Sequence, residues 1–179
     1  MNHITADFEE DWFNSHNVYK MLVENCRDDG KIVELGAWKG RSSAFLVVEA
    51  YNKSPKIEVH IVDTWGGNPF DGSQDQSDDP YNKFISNMSA LDGHYQAHRM
   101  TTNEAARLFE DNSLDAVFID ADHSYEAVRL DIQNWMPKVR KGGILAGHDY
   151  SSAWLGVIRA VDEIFPDAEK TEFCWVKKC

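Results

Sequence analysis

The sequence predicts an α/β fold, a mostly parallel sheet with helices on both faces, and three observations carry that prediction. Short apolar runs alternate with stretches of helical spacing along nearly the whole chain. An early apolar run, Ile32-Val33, leads through Glu34 into Gly36 and Gly40, and Ser42-Ser43 then open a helical pattern. The carboxyl ends of the expected strands carry Glu34, Asp63, Asp120 and Asp149. In open parallel sheets, ligands bind beyond those ends, where the strand order reverses.

Taken in order, residues 13–26 place Phe13, Val18, Met21 and Leu22 at helical spacing. A first strand is expected at 31–35 and its helix at 41–52. The second strand runs from Ile57 to Val62 and ends at Asp63. The polar, acidic segment 66–79 then reads as a mobile lid bordering a binding site, and a helix follows at 80–91. A third strand falls near 94–100 and a short helix near 103–110. The fourth strand, Leu114 to Ile119, ends at Asp120, and an amphipathic helix covers 124–135. Lys141-Gly142-Gly143 reads as a helix C-cap leading into a fifth strand at 144–146. A helix near 155–165 stops at Pro166, and 173–176 reads as a last strand.

The 179 residues, 42% hydrophobic and 12% aromatic, suit one folded domain over 1–179 with a sizeable core. A net charge of −12 opposes a nucleic-acid backbone as main partner and fits an enzyme of small molecules. No apolar run reaches membrane-spanning length, so no membrane partner is expected. Residues 1–7 lack the basic start and apolar core of a signal peptide, which sets a cytoplasmic location as the expectation. The three cysteines show no metal-ligand spacing; Cys174 reads as core and Cys179 as exposed.

The glycine turn is neither G-x-G-x-x-G nor a P-loop. Glycine serves where the backbone needs a positive φ or must let a ligand approach, and the following helix presents free N–H groups to the same spot. A carboxylate at Glu34 would repel phosphate and suit a cationic ligand. Asp63, somewhat beyond the roughly 20-residue spacing typical of a ribose-binding acid, can accept ribose hydroxyls or act as a turn or cap residue. Trp65 can cover a purine or pack. Trp135 and Trp154 read as packing residues. Asp120-Ala121-Asp122-His123 can hold a divalent ion or do acid–base work, while Asp122 or Ser124 can cap the next helix. His148-Asp149-Tyr150 follows a strand expected beside the fourth, which brings Asp120 and Asp149 together. Two hard oxygen donors suit Mg2+ or Ca2+, and His148 can be a ligand or a general base.

Glu34-Leu35-Gly36-Ala37-Trp38-Lys39-Gly40-Arg41-Ser42-Ser43 and Asp63-Thr64-Trp65-Gly66-Gly67 resemble class I S-adenosylmethionine-dependent methyltransferases. Phe118 to Glu126 and Gly142 to Tyr150 resemble a small branch related to macrocin-type sugar O-methyltransferases and cephalosporin-hydroxylase-like proteins. Catechol and caffeoyl-coenzyme A O-methyltransferases are more distant relatives of that branch. The resemblance covers residues 30–165 and implies a three-layer Rossmann-like methyltransferase fold that moves a methyl group from S-adenosylmethionine to an oxygen of a small-molecule acceptor. It implies that Glu34, Gly36 and Gly40 line the methionine end and ribose turn of the cofactor. Asp63 would take the ribose hydroxyls with Trp65 nearby, and Thr102 and Asn103 would contact adenine. Asp120, also at the cofactor's edge, and Asp149 would hold Mg2+ or Mn2+, with His148 as the alternative base. His148 and Tyr150 stand where metal-dependent relatives carry a further acid or an asparagine.

Residues 167–178 leave room only for a tight hairpin or one strand. The acceptor side is then open, built by residues 65–90, or completed by a second subunit in a homo-oligomer. Two other readings remain beside the transferase: a cofactor-binding module without activity, and an NAD-dependent oxidoreductase. The missing third glycine and Glu34 count against the latter.

Overall fold

The computed structural model describes residues 1–3, 13–66, 79–171 and 173–179. The body of the expected lid, 67–78, lies outside the described residues.

Seven strands form one sheet in the order β3-β2-β1-β4-β5-β7-β6. They are β1 (Lys31–Leu35), β2 (Glu58–Asp63), β3 (Gln96–Arg99), β4 (Leu114–Ile119), β5 (Val139–Gly147), β6 (Glu169–Lys170) and β7 (Trp175–Lys178). The first five run parallel, while β7 is antiparallel to both β5 and β6. The helices are α1 (His16–Asn25), α2 (Arg41–Lys53), α3 (Pro80–Met88), α4 (Thr102–Ala105), α5 (Tyr125–Trp135) and α6 (Leu155–Ile164).

Alternation along the strands divides the core in two. Ile32, Ile61 and Phe118 pack with Leu22 of α1, Leu46 of α2 and Phe84 of α3. Val33, Val62 and Val117 face the other way, onto Ala105 of α4, Ile132 of α5 and Val161 of α6. Burial on both faces explains why β4 reads as a continuous apolar run apart from Asp115.

The strand order reverses between β1 and β4, and backbone bonds level the strand ends there. Gly36 N donates to Val62 O at 2.8 Å, Asp120 N to Leu35 O at 2.7 Å, and His148 N to Ile119 O at 3.0 Å. Asp63, Gly36, Asp120 and His148 thus form one row at the carboxyl edge of the sheet.

Lys141-Gly142-Gly143 is not a helix C-cap. After α5, a 3-10 turn over Met136–Lys138 ends the helical stretch, and the two glycines lie inside β5. The register steps from Leu114↔Val139 to Ala116↔Ile144, which makes the glycines a bulge. Gly142 has φ 76°, and a Cβ on Gly143 would lie 2.7 Å from the Asp115 carbonyl. Glycine is scarce in strands except where such a bulge or close backbone approach demands it. Below the bulge, buried Asp115 accepts from Arg27 Nε (2.9 Å), Arg140 Nε (2.7 Å) and the Lys31 amide (3.1 Å). The chain closes with the tight hairpin, β6 and β7. Cys179 is half-buried rather than exposed, because its carbonyl accepts from Gly142 N and its amide donates to Gly143 O.

Candidate functional site

Gly36 turns the chain away from β1 at φ 86°, and a Cβ there would lie 1.8 Å from the Asp120 carbonyl oxygen. Only glycine lets the end of β4 pass so close. Gly40, at φ 90°, is the N-cap of α2. Above the row of strand ends opens a cavity of about 780 Å³. Its wall includes Gly36 after β1, Asp63 at the end of β2, Thr102 and Asn103 after β3, Asp120 after β4 and Asp149 after β5.

Two expected contact residues, Glu34 and Gly40, lie outside the cavity wall, and a third, Trp65, borders it as packing. Glu34 does not line the cavity: it is fully buried beneath it, where its carboxylate accepts from the Tyr19 hydroxyl at 2.6 Å and from the Ser43 hydroxyl. It points to the α1–α2 side of the sheet, as its phase with Ile32 requires. Gly40 is likewise absent from the wall, since the turn tucks it against Phe84 and Met88 of α3. Trp65 borders the cavity but is only 4% exposed, with its ring packed on Tyr81 and Phe84 and its Nε1 donating to Trp38 O at 2.9 Å. It packs the wall and offers no open face for a purine.

Asp63 faces the cavity and also organises the turn. Its Oδ2 accepts from the amides of Ala37 (2.7 Å) and Trp38 (3.0 Å), and its Oδ1 from the amide of Trp65 (2.7 Å). A carboxylate has about four lone-pair sites, so one more donor can be accepted.

Beyond β4 and β5 four titratable side chains meet. Asp149, at φ 58°, turns its carboxylate back so that Oδ2 lies 2.9 Å from His123 Nε2 and 3.3 Å from His148 Nδ1. Asp120 Oδ1 lies 3.8 Å from His148 Nδ1 and 4.0 Å from His123 Nε2. His148 Nε2 reaches Asn14 Oδ1 at 2.7 Å. Burial pushes the Asp120 carboxyl up to about 7, with Asp149 adding to the rise and His148 opposing it. Burial acts the same way on Asp149, but the two imidazoles outweigh it and hold that carboxyl well below the usual range. Burial lowers both histidines, and their bonds to Asp149 more than reverse it, so both titrate above the ordinary histidine value. Asp149 is therefore the fixed anion of the group.

His123, grouped in the sequence with Asp120 and Asp122 as able to hold an ion or do acid–base work but not singled out as a site residue, belongs to this cluster. The signal was its spacing, three positions after Asp120. Ligand atoms of Asp120, His123 and Asp149 all lie within 4.8 Å of one another. Asp122 and Ser124 fulfil the capping expectation: Asp122 Oδ1 accepts from Ser124 N at 2.7 Å, and Ser124 caps α5. Trp135 is buried packing, whereas Trp154 borders the cavity with its ring 4.2 Å from that of His123.

Residues 33–150, from β1 through the Asp149 turn, match the family described as a methyltransferase domain. The chain belongs to this methyltransferase family. The enzyme class expected from the motifs stands on that match. A curated relative, the uncharacterized protein y4gI of Sinorhizobium fredii, is 27% identical over 134 residues. The match covers 75% of this chain but only 14% of that protein's length. An O-methyltransferase from Bacillus cereus, solved in complex with SAH, is 14% identical, with a TM-score of 0.66 over 94% of this chain and 82% of its own. An rRNA methylase from Streptococcus thermophilus is 15% identical, with a TM-score of 0.65 over 93% of this chain and 96% of its own. At these identities the likeness shows the fold: the three-layer Rossmann-like methyltransferase architecture expected from the sequence. Among the described residues, no helix is long and apolar enough to cross a membrane.

Proposed function

We propose that this methyltransferase family member acts as a single domain over 1–179 and transfers the methyl group of S-adenosylmethionine to a hydroxyl oxygen of a small-molecule acceptor. The convergence of Asp120, His123, His148 and Asp149 on one wall of the cavity, at the reversal of strand order, carries the reading. The cavity volume of about 780 Å³ falls within the roughly 300–1,000 Å³ typical of small-molecule sites. Acids along the strand ends favour a cationic sulfonium over a phosphate.

Gly36 and Asp120 would hold the cofactor's methionine end, Asp63 its ribose, and Thr102 and Asn103 its adenine. Glu34 and Gly40 serve indirectly by shaping the turn. Methyl transfer breaks the S–CH3 bond and forms O–CH3 in line, and the acceptor's proton goes to His148 Nε2, which first releases Asn14 while Nδ1 stays with Asp149. Asp149 holds both imidazoles in place and stabilises the charge that His148 acquires. Orientation of the two reactants does most of the rest. The donor set of Asp120, Asp149 and His123 fits a divalent ion. Two carboxylates with one imidazole suit Mn2+ better than Mg2+. When bound, the ion supplies Lewis acidity that lowers the acceptor hydroxyl's pKa.

The net charge of −12 supports a small-molecule acceptor over a nucleic acid. A cytoplasmic setting, and a second copy of the chain completing the acceptor side, belong to the same reading. Calorimetric titration with S-adenosylhomocysteine and with NAD is the first test, and only the former should bind. Labelled methyl transfer to a panel of sugars and phenols follows. Binding of NAD alone would replace the reading with an oxidoreductase, and cofactor binding without transfer to any acceptor would favour a binding module.

A further inference from the structure

Asp131 on α5 is a buried acid without a cation. It is 3% exposed and lies on the cavity wall. Thr102 Oγ1 donates to its Oδ1 at 2.5 Å, and among the described residues neither an Arg nor a Lys pairs with it. Asp115, the other deeply buried aspartate, is instead gripped by two arginines and two backbone amides. A buried carboxylate needs its lone pairs met. Among the described residues none hydrogen-bonds the second oxygen of Asp131, and the open side of that residue is the cavity.

One turn along the same helix, Asn134 Nδ2 donates to Asn103 Oδ1 at 2.6 Å. Asp131 and Asn134, at i and i+3, thus hold the adjacent residues Thr102 and Asn103. In this pair the Asn103 oxygen faces Asn134. The bond occupies the oxygen and leaves the Asn103 Nδ2 hydrogens to serve as donors. This stretch of wall therefore presents an acceptor, Asp131 Oδ2, together with a donor, Asn103 Nδ2. A 6-aminopurine carries the complement on one edge, an exocyclic N–H donor beside a ring-nitrogen acceptor. A 6-oxopurine carries the reverse, a carbonyl oxygen beside a ring N–H.

We propose that Asp131 and Asn103 form a donor–acceptor pair that reads the amino edge of the cofactor's adenine and rejects 6-oxopurines. This rests on the S-adenosylmethionine reading above and names two specificity-determining residues within it. The amino group supplies the donor that Asp131 lacks. A 6-oxo group would instead set an oxygen against a carboxylate, the mismatch for which polar sites discriminate most strongly.

The test compares S-adenosylhomocysteine with its deaminated analogue, S-inosylhomocysteine, by titration calorimetry. The wild type should prefer the adenosyl form by at least roughly thirtyfold, given the strong rejection of mismatched polar groups by hydrogen-bonding sites. Asp131→Asn keeps an acceptor for Thr102 and can turn either its oxygen or its NH2 to the ligand. The preference should then shrink to about threefold or less, with little change in melting temperature. Asn103→Asp replaces the donor with an acceptor and should weaken the adenosyl form by about tenfold or more. Equal affinities in the wild type, or an undiminished preference in Asp131→Asn, would overturn the pair while leaving the transferase reading intact. Should neither ligand bind the wild type, the cofactor reading itself fails and this inference falls with it.

Discussion

Replacing Asp63 by alanine separates two jobs that one carboxylate performs. Its oxygens accept three amide N–H groups, those of Ala37, Trp38 and Trp65, at 2.7–3.0 Å. A hydrogen bond to a charged acceptor contributes about 1.5–3 kcal/mol net. The three do not add in full, because two amides share one oxygen and the turn borders an open cavity where water can reach the freed groups. One effective bond per oxygen gives a loss of about 3–6 kcal/mol in unfolding free energy without ligand, measurable by urea titration. A ribose hydroxyl on the remaining lone pair adds about 1.5–3 kcal/mol to the binding of S-adenosylhomocysteine, measurable by calorimetry on both proteins. A loss of stability below about 1 kcal/mol would refute the organising role, since that is less than one charged hydrogen bond. Unchanged affinity in a destabilised mutant would refute the ribose contact and leave the turn as the whole role of Asp63.

Gly36→Ala should cost about 3 kcal/mol or more in urea unfolding, combining a positive φ with a Cβ driven into the Asp120 carbonyl; stability like the wild type's would contradict the packing at that turn. Asp115→Ala should cost about 3–5 kcal/mol, the range for breaking a buried ion pair. Bonds from Arg27 and Arg140 overcome the effect of burial and hold the Asp115 carboxyl below its usual range. Its contribution is therefore present above the unfolded value near 3.9 and is lost as pH falls through the lower folded value. Stability curves between about pH 5 and pH 2 should fall more steeply for the wild type than for Asp115→Asn, and parallel curves would reject the assignment. Methyl transfer should stop on adding chelator and return with Mn2+, and Asp149→Ala should abolish it while cofactor binding survives. Full activity in chelator would reject the metal and leave His148 as the base, to be tested by His148→Ala.

The sheet and its reversal point were legible because both-face burial leaves short apolar runs bounded by glycine and acid, a pattern local to each strand. The meeting of Asp120 and Asp149 followed from β4 and β5 being consecutive and parallel. What escaped depended on backbone detail or on partners remote in sequence. The reach of His123 to Asp149 requires a left-handed aspartate at φ 58°, for which the residue type gives no warning. The bulge in β5 is coded by two glycines that serve equally well as a helix stop. Glu34 was read as a lining residue, but strand phase puts it on the side of Ile32, where its partners Tyr19 and Ser43 come from two different helices. The turn role of Asp63 was legible, since an aspartate accepting the amide two residues on is a local turn pattern.

The contrast between the buried acids bears on how the site handles charge. Asp115 is met by two guanidinium groups, and its ionised form is secured far from the cavity. Among the described residues Glu34 is met by the hydroxyls of Tyr19, Ser42 and Ser43 and by no cation, so burial still leaves its carboxyl above the usual range. Asp149 has its charge committed to two imidazoles. Asp120 has no close hydrogen-bonded cation among the described residues, and burial pushes its carboxyl up to about 7, so a cation arriving in the cavity would draw it into its charged form. A sulfonium loses its positive charge as the methyl leaves, so strong fixed anions beside it would stabilise the ground state and slow the transfer. Hydroxyl-bonded Glu34 and imidazole-paired Asp149 temper that effect, while Asp120 retains enough attraction to favour the charged cofactor over the neutral product. On this argument S-adenosylmethionine binds more tightly than S-adenosylhomocysteine, and in Asp120→Asn the ratio of the two affinities falls toward unity. Calorimetry with chelator present isolates the effect from any metal, and an unchanged ratio would remove Asp120 from the methionine end of the site.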